Sequence, residues 1–220
     1  MNAINGSNEA TYSRVRDQLR QDIITGVFEP GVRLRIQELS NRYEVSQMPI
    51  REALQQLQGE GLITLLPQKG ASVRKIDQKF VENMYDIRIA IETMLVSRGI
   101  DNLSNRELGL IEEHQAQYEA YATAGNMEGA LTANTLMHHR INQLAENPEA
   151  LDIINRHWGL IASLRSKFGF SQQRVQSIIE DHRGILEALR NRDKEQAVRL
   201  TRDHATKAKI DLLEQMSNQT

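Results

Sequence analysis

Cysteine is absent from this 220-residue chain, which excludes disulfides and thiolate metal sites and is compatible with a reducing compartment. Proline occurs only four times and aromatic residues make up 5% of the chain, a scarcity that suits a mainly helical protein. No apolar run approaches the roughly 18 residues of a membrane helix. Met1–Thr11 is polar, so neither a signal peptide nor a membrane span is expected. The net charge of −2 would argue against a nucleic-acid partner if it were spread evenly. It is not: residues 12–76 hold 10 Lys/Arg against 7 Asp/Glu, while 77–220 hold 17 against 21. The positive excess therefore sits in the first third of the chain. With 40% apolar and 25% charged residues the composition is globular, long enough for one large or two small domains.

What is present centres on Ser46-Gln47-Met48-Pro49-Ile50-Arg51-Glu52-Ala53-Leu54-Gln55-Gln56-Leu57, followed by Glu60-Gly61-Leu62. Ser46 suits a helix N-cap, and Pro49 falls in the first turn, where no N–H partner is lost. Ile50, Leu54 and Leu57 share one face and pack inward. Gln47, Arg51, Gln55 and Gln58 point elsewhere, and Arg and Gln make paired hydrogen bonds to guanine and adenine edges. The stretch reads as a helix that enters a DNA major groove; an ordinary surface helix is the alternative.

The flanks favour the groove. Met1–Thr11, rich in Asn, Gly and Ser, reads as a mobile tail. Tyr12, Val15, Leu19 and Ile23 recur at helical spacing and predict a helix over 12–25 that stops at Gly26. Glu29-Pro30-Gly31 is a turn. A short second helix buries Ile36, Leu39 and Tyr43, and a tight link through Val45 completes a helix-turn-helix. After Gly61, Leu62–Leu66 and Ala71–Arg74 are strand-like runs around the turn Pro67-Gln68-Lys69-Gly70, a wing whose Lys69 is placed for a phosphate and whose Gly70 permits close backbone approach.

Gly26-Val27-Phe28-Glu29-Pro30-Gly31, Leu34, Leu39, Ser46-x-x-Pro49-Ile50-Arg51-Glu52-Ala53-Leu54, Leu57, Glu60-Gly61-Leu62 and Gly70 together resemble the GntR family of bacterial transcription regulators. The resemblance spans 12–76. It implies a winged helix-turn-helix with a DNA contact at the Arg51 position. Many members carry Arg directly after the Ser46 position; Gln47 stands there here, so an adenine contact is the natural expectation. The candidate DNA contacts are Arg35, Gln37, Ser46, Gln47, Pro49, Arg51, Gln55, Lys69 and Gly70.

From Asp77 the pattern is helical throughout, with helices expected over about 78–100, 105–124, 126–146, through Ile153–Leu164, 172–191 and 194–215. Ser104-x-x-Glu107 is a capping box, Asn147-Pro148 a stop, and Asp193-x-x-Gln196 a further cap. Six amphipathic helices with short links make an antiparallel bundle. Histidines interrupt its inward stripes: Asn134, Met137, His138 and Ile141; Ile178, His182, Ile185 and Leu189; Ala197, Leu200, His204 and Ala208. A buried imidazole without partners costs about 1–3 kcal/mol. Three of them on three helices should meet something, and a metal ion is the simplest common partner. Hydrogen bonds among themselves or to water are the alternative. His157 also falls near an apolar face, while His139, about 100° from His138, should be solvated.

Arg88-x-x-x-Glu92, Asn134-x-x-x-His138 with Arg140 and Asn147-Pro148, His182 with Ile185 and Leu189, and Asp193 with Ala197 and His204 resemble the FCD ligand-binding domain of the FadR-type branch of GntR regulators, in its six-helix, VanR-like group. The resemblance covers 80–210. It implies a divalent metal, zinc or nickel, held at positions like Asn134, His138, His182 and His204 beside a small carboxylate effector. Asp is commoner at the Asn134 position, and a neutral amide is the weaker ligand. Arg88 is placed either for an effector carboxylate or for an ion pair with Glu92; Arg140 should face away.

The expected protein is thus mainly α, a tail (1–11), a winged helix-turn-helix (12–76) and a helical effector-binding and dimerisation domain (77–220). It is expected to act in the bacterial cytoplasm as a homodimer on palindromic double-stranded DNA, away from membranes. The competing reading, a metal-dependent hydrolase, is weakened because Asp181 and Asp203 lie about 100° off the inward stripes, leaving no base for a bound water.

Overall fold

The fold is that of a computed structural model, which describes the backbone of residues 3–66 and 70–218, with side chains described from Tyr12 onward apart from Leu66. Pro67, Gln68 and Lys69 lie outside the described residues, and with them the expected phosphate contact of Lys69. The chain divides into two compact units, Met1–Phe80 and Val81–Thr220.

In the first unit, helix α1 (Ala3–Thr25) buries Val15, Leu19 and Ile23 at the four-residue spacing that predicted it. It begins well before Tyr12, over residues expected to form a tail; once a helix is nucleated, each added residue costs little, and no proline blocks propagation. Strand β1 (Arg33–Leu34), helices α2 (Ile36–Tyr43) and α3 (Gln47–Gly59), and strands β2 (Ile63–Leu66) and β3 (Gly70–Val73) follow. The strands form an antiparallel sheet in the order β1-β3-β2, with Leu65 opposite Ala71 and Leu34 on the other side of it. Sequence periodicity missed β1, because two residues carry no period; its existence depends on pairing with β3.

Ile50, Ala53, Leu54 and Leu57 of α3 are buried, and Leu39 of α2 joins them while Ile36 and Tyr43 are only half-buried. The Tyr43 hydroxyl instead donates to Asp22 at 2.9 Å. A buried ion pair ties the far end of α3 to α1: Arg20 Nε and Nη2 donate to Glu60 at 2.8 and 2.5 Å. Gly70 has φ +88°, and a Cβ there would lie 2.6 Å from the Leu34 carbonyl oxygen, so sheet pairing itself demands glycine.

The second unit holds α4, which starts at Gln78 and runs to Gly99, then a 3₁₀ turn, α5 (Asn105–Thr123), α6 (Met127–Gln143), α7 (Pro148–Phe168), α8 (Gln172–Arg190) and α9 (Lys194–Asn218). Side-chain oxygens close the helix starts as expected: Ser104 accepts from the Glu107 N–H at 3.1 Å and Asp193 from that of Gln196 at 2.9 Å. Asn147 accepts from the Ala150 N–H with Pro148 opening the helix. Val96, Ile111, Met137, Ile141, Ile185 and Leu189 form the centre of one core cluster, and Leu95, Ile154 and Trp158 of a second. Gly99 lets α4 end against the α6–α7 corner, since a Cβ there would meet Leu144 Cβ at 2.8 Å and the Ala145 nitrogen at 2.9 Å. Among the described residues, no helix is long and apolar enough to cross a membrane.

Candidate metal centre and reading helix

His138 on α6, His182 on α8 and His204 on α9 converge in the interior of the second unit, all buried. One potential ligand atom from each lies within 4.8 Å of the others. His138 Nε2 and His182 Nε2 are 3.3 Å apart. Two imidazole nitrogens bound tetrahedrally to one zinc at about 2.0–2.1 Å would be separated by about 3.3 Å, so the spacing suits a shared cation as well as a hydrogen bond. Burial, reinforced by Arg88 and Arg174 nearby, holds all three imidazoles neutral: His138 and His204 are pushed well below the usual range and His182 to about 3. Neutral imidazole is the form that offers a lone pair to a metal.

At His182 a neighbour fixes which nitrogen does so. Gln115 Oε1 lies 2.6 Å from His182 Nδ1 and can only accept, which places the proton on Nδ1 and the lone pair on Nε2, towards the cluster. Asp181 Oδ2 and Arg174 Nη2 both lie 3.3 Å from His204 Nδ1, an acceptor and a donor facing the same nitrogen; Arg174 and Lys207 hold that carboxylate at 2.9 and 2.5 Å. Sequence reasoning found neither partner. Gln115 lies on a stripe with Ile111 and Tyr118, all three buried, so the test that singled out the histidines would have found it on α5 too. Asp181 was set aside as off the inward stripe of α8, but α9 packs beside it and supplies His204.

A pocket borders His204 of the triad and is lined also by Asn134, Arg88, Arg174, Tyr118 and Trp158 among others. Asn134, one turn before His138 on α6, borders this pocket together with His204. Of the two roles open to Arg88, an effector carboxylate or Glu92, the structure has the second: its Nε donates to Glu92 at 3.1 Å, while its guanidinium stacks 4.1 Å over the Trp158 ring, whose Nε1 donates to the other Glu92 oxygen. His139 pairs with Asn155 and Arg140 with Glu107, both away from the cluster. His157 lies outside the triad.

In the first unit, Gln47, Arg51, Gln55 and Gln58 are exposed along one side of α3, opposite its apolar face. Ser46 occupies the N-cap position with extended backbone, but its hydroxyl makes no capping bond, a departure from expectation. Pro49 is buried, so it supports the first turn from the inside. Gln47 Nε2 donates to Gln37 Oε1 at 2.7 Å, and Gln37 in turn to Asn41, so α2 fixes the orientation of the Gln47 side chain. Arg35 is exposed and paired with Glu38.

A helix-turn-helix with a wing, a polar second helix and a helical bundle in the same chain define a DNA-binding transcription regulator. Comparison with known proteins makes the class specific. Residues 11–73 match the bacterial regulatory proteins of the gntR family, and residues 83–207 match the FCD domain. The chain belongs to the GntR family, in its FCD-containing branch. It is 28% identical over 187 residues to the HTH-type transcriptional regulator YdhC of Bacillus subtilis (strain 168), covering 84% of each chain. It is 27% identical over 186 residues to the HTH-type transcriptional repressor RspR of Escherichia coli (strain K12), covering 84% of this chain and 82% of that one. The solved structure of E. coli McbR/YncC superposes with a TM-score of 0.74 at 22% identity, over 94% of this chain and 98% of that one. These relatives are named as regulators, and the protein is a regulator rather than an enzyme.

Proposed function

We propose that the protein is a metabolite-responsive regulator that reads DNA with α3 and senses a small organic acid beside a metal ion in its helical unit. Arg51, Gln47 and Gln55 would face base edges, with Arg35, Gln37, Ser46, Lys69 and Gly70 at the edges of the contact. Gln47, positioned by Gln37, suits an adenine. One such helix spans few base pairs, so a homodimer on a palindromic site supplies the missing specificity. The repressor name of RspR favours a repressor, acting where the chromosome is, in the bacterial cytoplasm.

His138, His182 and His204, with Asn134, would hold the divalent ion; zinc fits the nitrogen-rich set, with nickel as the alternative. The ion would supply a fixed positive charge and a Lewis-acid position for one carboxylate oxygen. The single observation that carries this reading is the convergence of three buried neutral imidazoles, one of them oriented by Gln115. Coupling between acid binding and DNA binding is then a free energy shared between two sites. The test is a gel-shift titration of the full chain on its operator, with zinc, with chelator, and with a panel of small carboxylic acids. Operator affinity that depends on an acid only when metal is present supports the reading; affinity indifferent to both refutes it.

A further inference from the structure

Met48 is the most exposed large apolar side chain among the described residues, at 65% of its full accessibility. It occupies the second position of α3, between exposed Gln47 and buried Pro49. Single exposed apolar residues are ordinary on protein surfaces. This one stands on the first turn of the helix proposed to read DNA. Positions three and four residues apart are neighbours on a helix, so Met48 borders Arg51 and Glu52, and Gln47 borders Arg51. All four are exposed, and Met48 is the one apolar member of the group.

The chemistry of the side chain narrows what it can recognise. A thioether donates no hydrogen bond and accepts only weakly, so Met48 cannot read the polar edges of the bases. The major groove presents donors, acceptors and a single apolar group, the C5-methyl of thymine. An unbranched side chain with three rotatable bonds can adapt to such a group. Gln47 supplies the context. Its Nε2 carries two hydrogens, and the bond to Gln37 Oε1 at 2.7 Å uses one. The second hydrogen and Oε1 match N7 and N6 of an adenine, and the pair holding that adenine also presents a thymine methyl in the same groove.

We propose that Met48 is a specificity-determining residue that packs on the C5-methyl of a thymine, in the pair read by Gln47 or the adjoining one. The inference rests on the reading of α3 as the groove helix, and it adds an apolar contact to the polar ones. Each half-site then carries an A·T pair chosen for its methyl group as well as for its hydrogen-bonding edge.

The experiment begins by letting the full chain select its preferred duplex from a random pool. Each thymine of one half-site is then replaced in turn by deoxyuridine, which keeps every hydrogen-bonding group and lacks only the methyl. Fluorescence anisotropy at fixed salt measures the affinity of the unaltered chain, Met48→Ala and Arg51→Ala for each duplex. Circular dichroism checks the fold, which a substitution at so exposed a site should leave intact. For the unaltered chain, one replacement should weaken binding about fourfold, the worth of one buried methyl. Met48→Ala should bind the thymine duplex at least about fourfold more weakly and be indifferent to that replacement. Arg51→Ala should bind more weakly overall and keep the thymine preference. If Met48→Ala keeps the preference, or no replacement affects the unaltered chain, the proposal is overturned while the loss in Arg51→Ala keeps α3 in the groove. If the pool yields no preferred sequence, or Arg51→Ala binds as tightly as the unaltered chain, the reading of α3 falls and this inference with it.

Discussion

The two units bury their polar groups in opposite ways. In the first, the buried charges Arg20 and Glu60 neutralise each other in a bidentate pair, and the side chains suited to recognition, Gln47, Arg51 and Gln55, stand exposed on α3. In the second, three histidines, three arginines and two tyrosine hydroxyls point into the interior, and several of their atoms lack partners among the described residues. A protein that reads a surface as large as a DNA groove can keep its core conventional. One that detects a small molecule must hold its polar groups in a dry interior, where each contact counts for more. On the proposed function, the contrast is that between a domain that reads DNA and a domain that senses an effector.

The largest effect should come from breaking the closed pair in the first unit. Glu60→Ala removes the buried partner of Arg20 and leaves it only the more exposed Asp17, 2.6 Å from Nη1, at a cost of up to about 3–5 kcal/mol. Urea unfolding should register that loss in the first unit, with metal content of the second unchanged. Opposite behaviour would erase the distinction between the two interiors.

The next effect sits on the exposed face. Arg51→Ala removes a base contact worth about 1–3 kcal/mol, so a gel-shift titration should show operator affinity reduced about five- to a hundredfold with stability intact. Equal affinity would remove α3 from the groove. In the second unit, Gln115→Leu keeps the volume of the side chain but frees the His182 tautomer; zinc affinity in a chelator competition should fall about ten- to a hundredfold. A variant that binds zinc normally would make Gln115 a packing residue.

The last effect is graded with pH rather than set by one substitution. In the metal-free protein, the imidazoles of His138, His182 and His204 are lowered by burial, His182 to about 3. The unfolded chain therefore binds more protons than the folded one below the ordinary histidine value of about 6.5. Stability conferred by the neutral triad is complete above that pH and is lost as pH falls towards 3, at up to about 1.4 kcal/mol per pH unit for each histidine. Chemical denaturation of the second unit between pH 8 and 5 checks the sign. A rise in stability on acidification would mean that the histidines are not buried as neutral groups.

Much of this was legible before any coordinates, because the signals are local. Caps such as Ser104, Asn147 and Asp193 mark helix starts within a few residues, and four-residue spacing places Val15, Leu19 and Ile23 on one face. The three histidines declared themselves by sitting on apolar stripes. What stayed hidden depends on distant partners. Strand β1 exists through β3, Glu60 matters because α1 brings Arg20 to it, and Asp181 acquires its role from His204 on the next helix. Gln115 was legible in principle, since it lies on an inward stripe. Ser46 shows the reverse: the right residue at the right position, with its hydroxyl left out of the cap.

The central claim is that the buried triad is a metal centre, and metal content tests it most directly. Protein purified without chelator and analysed for bound metal should carry close to one zinc or nickel per chain, and folded His182→Ala should carry almost none. Equal metal content in the two would contradict the account.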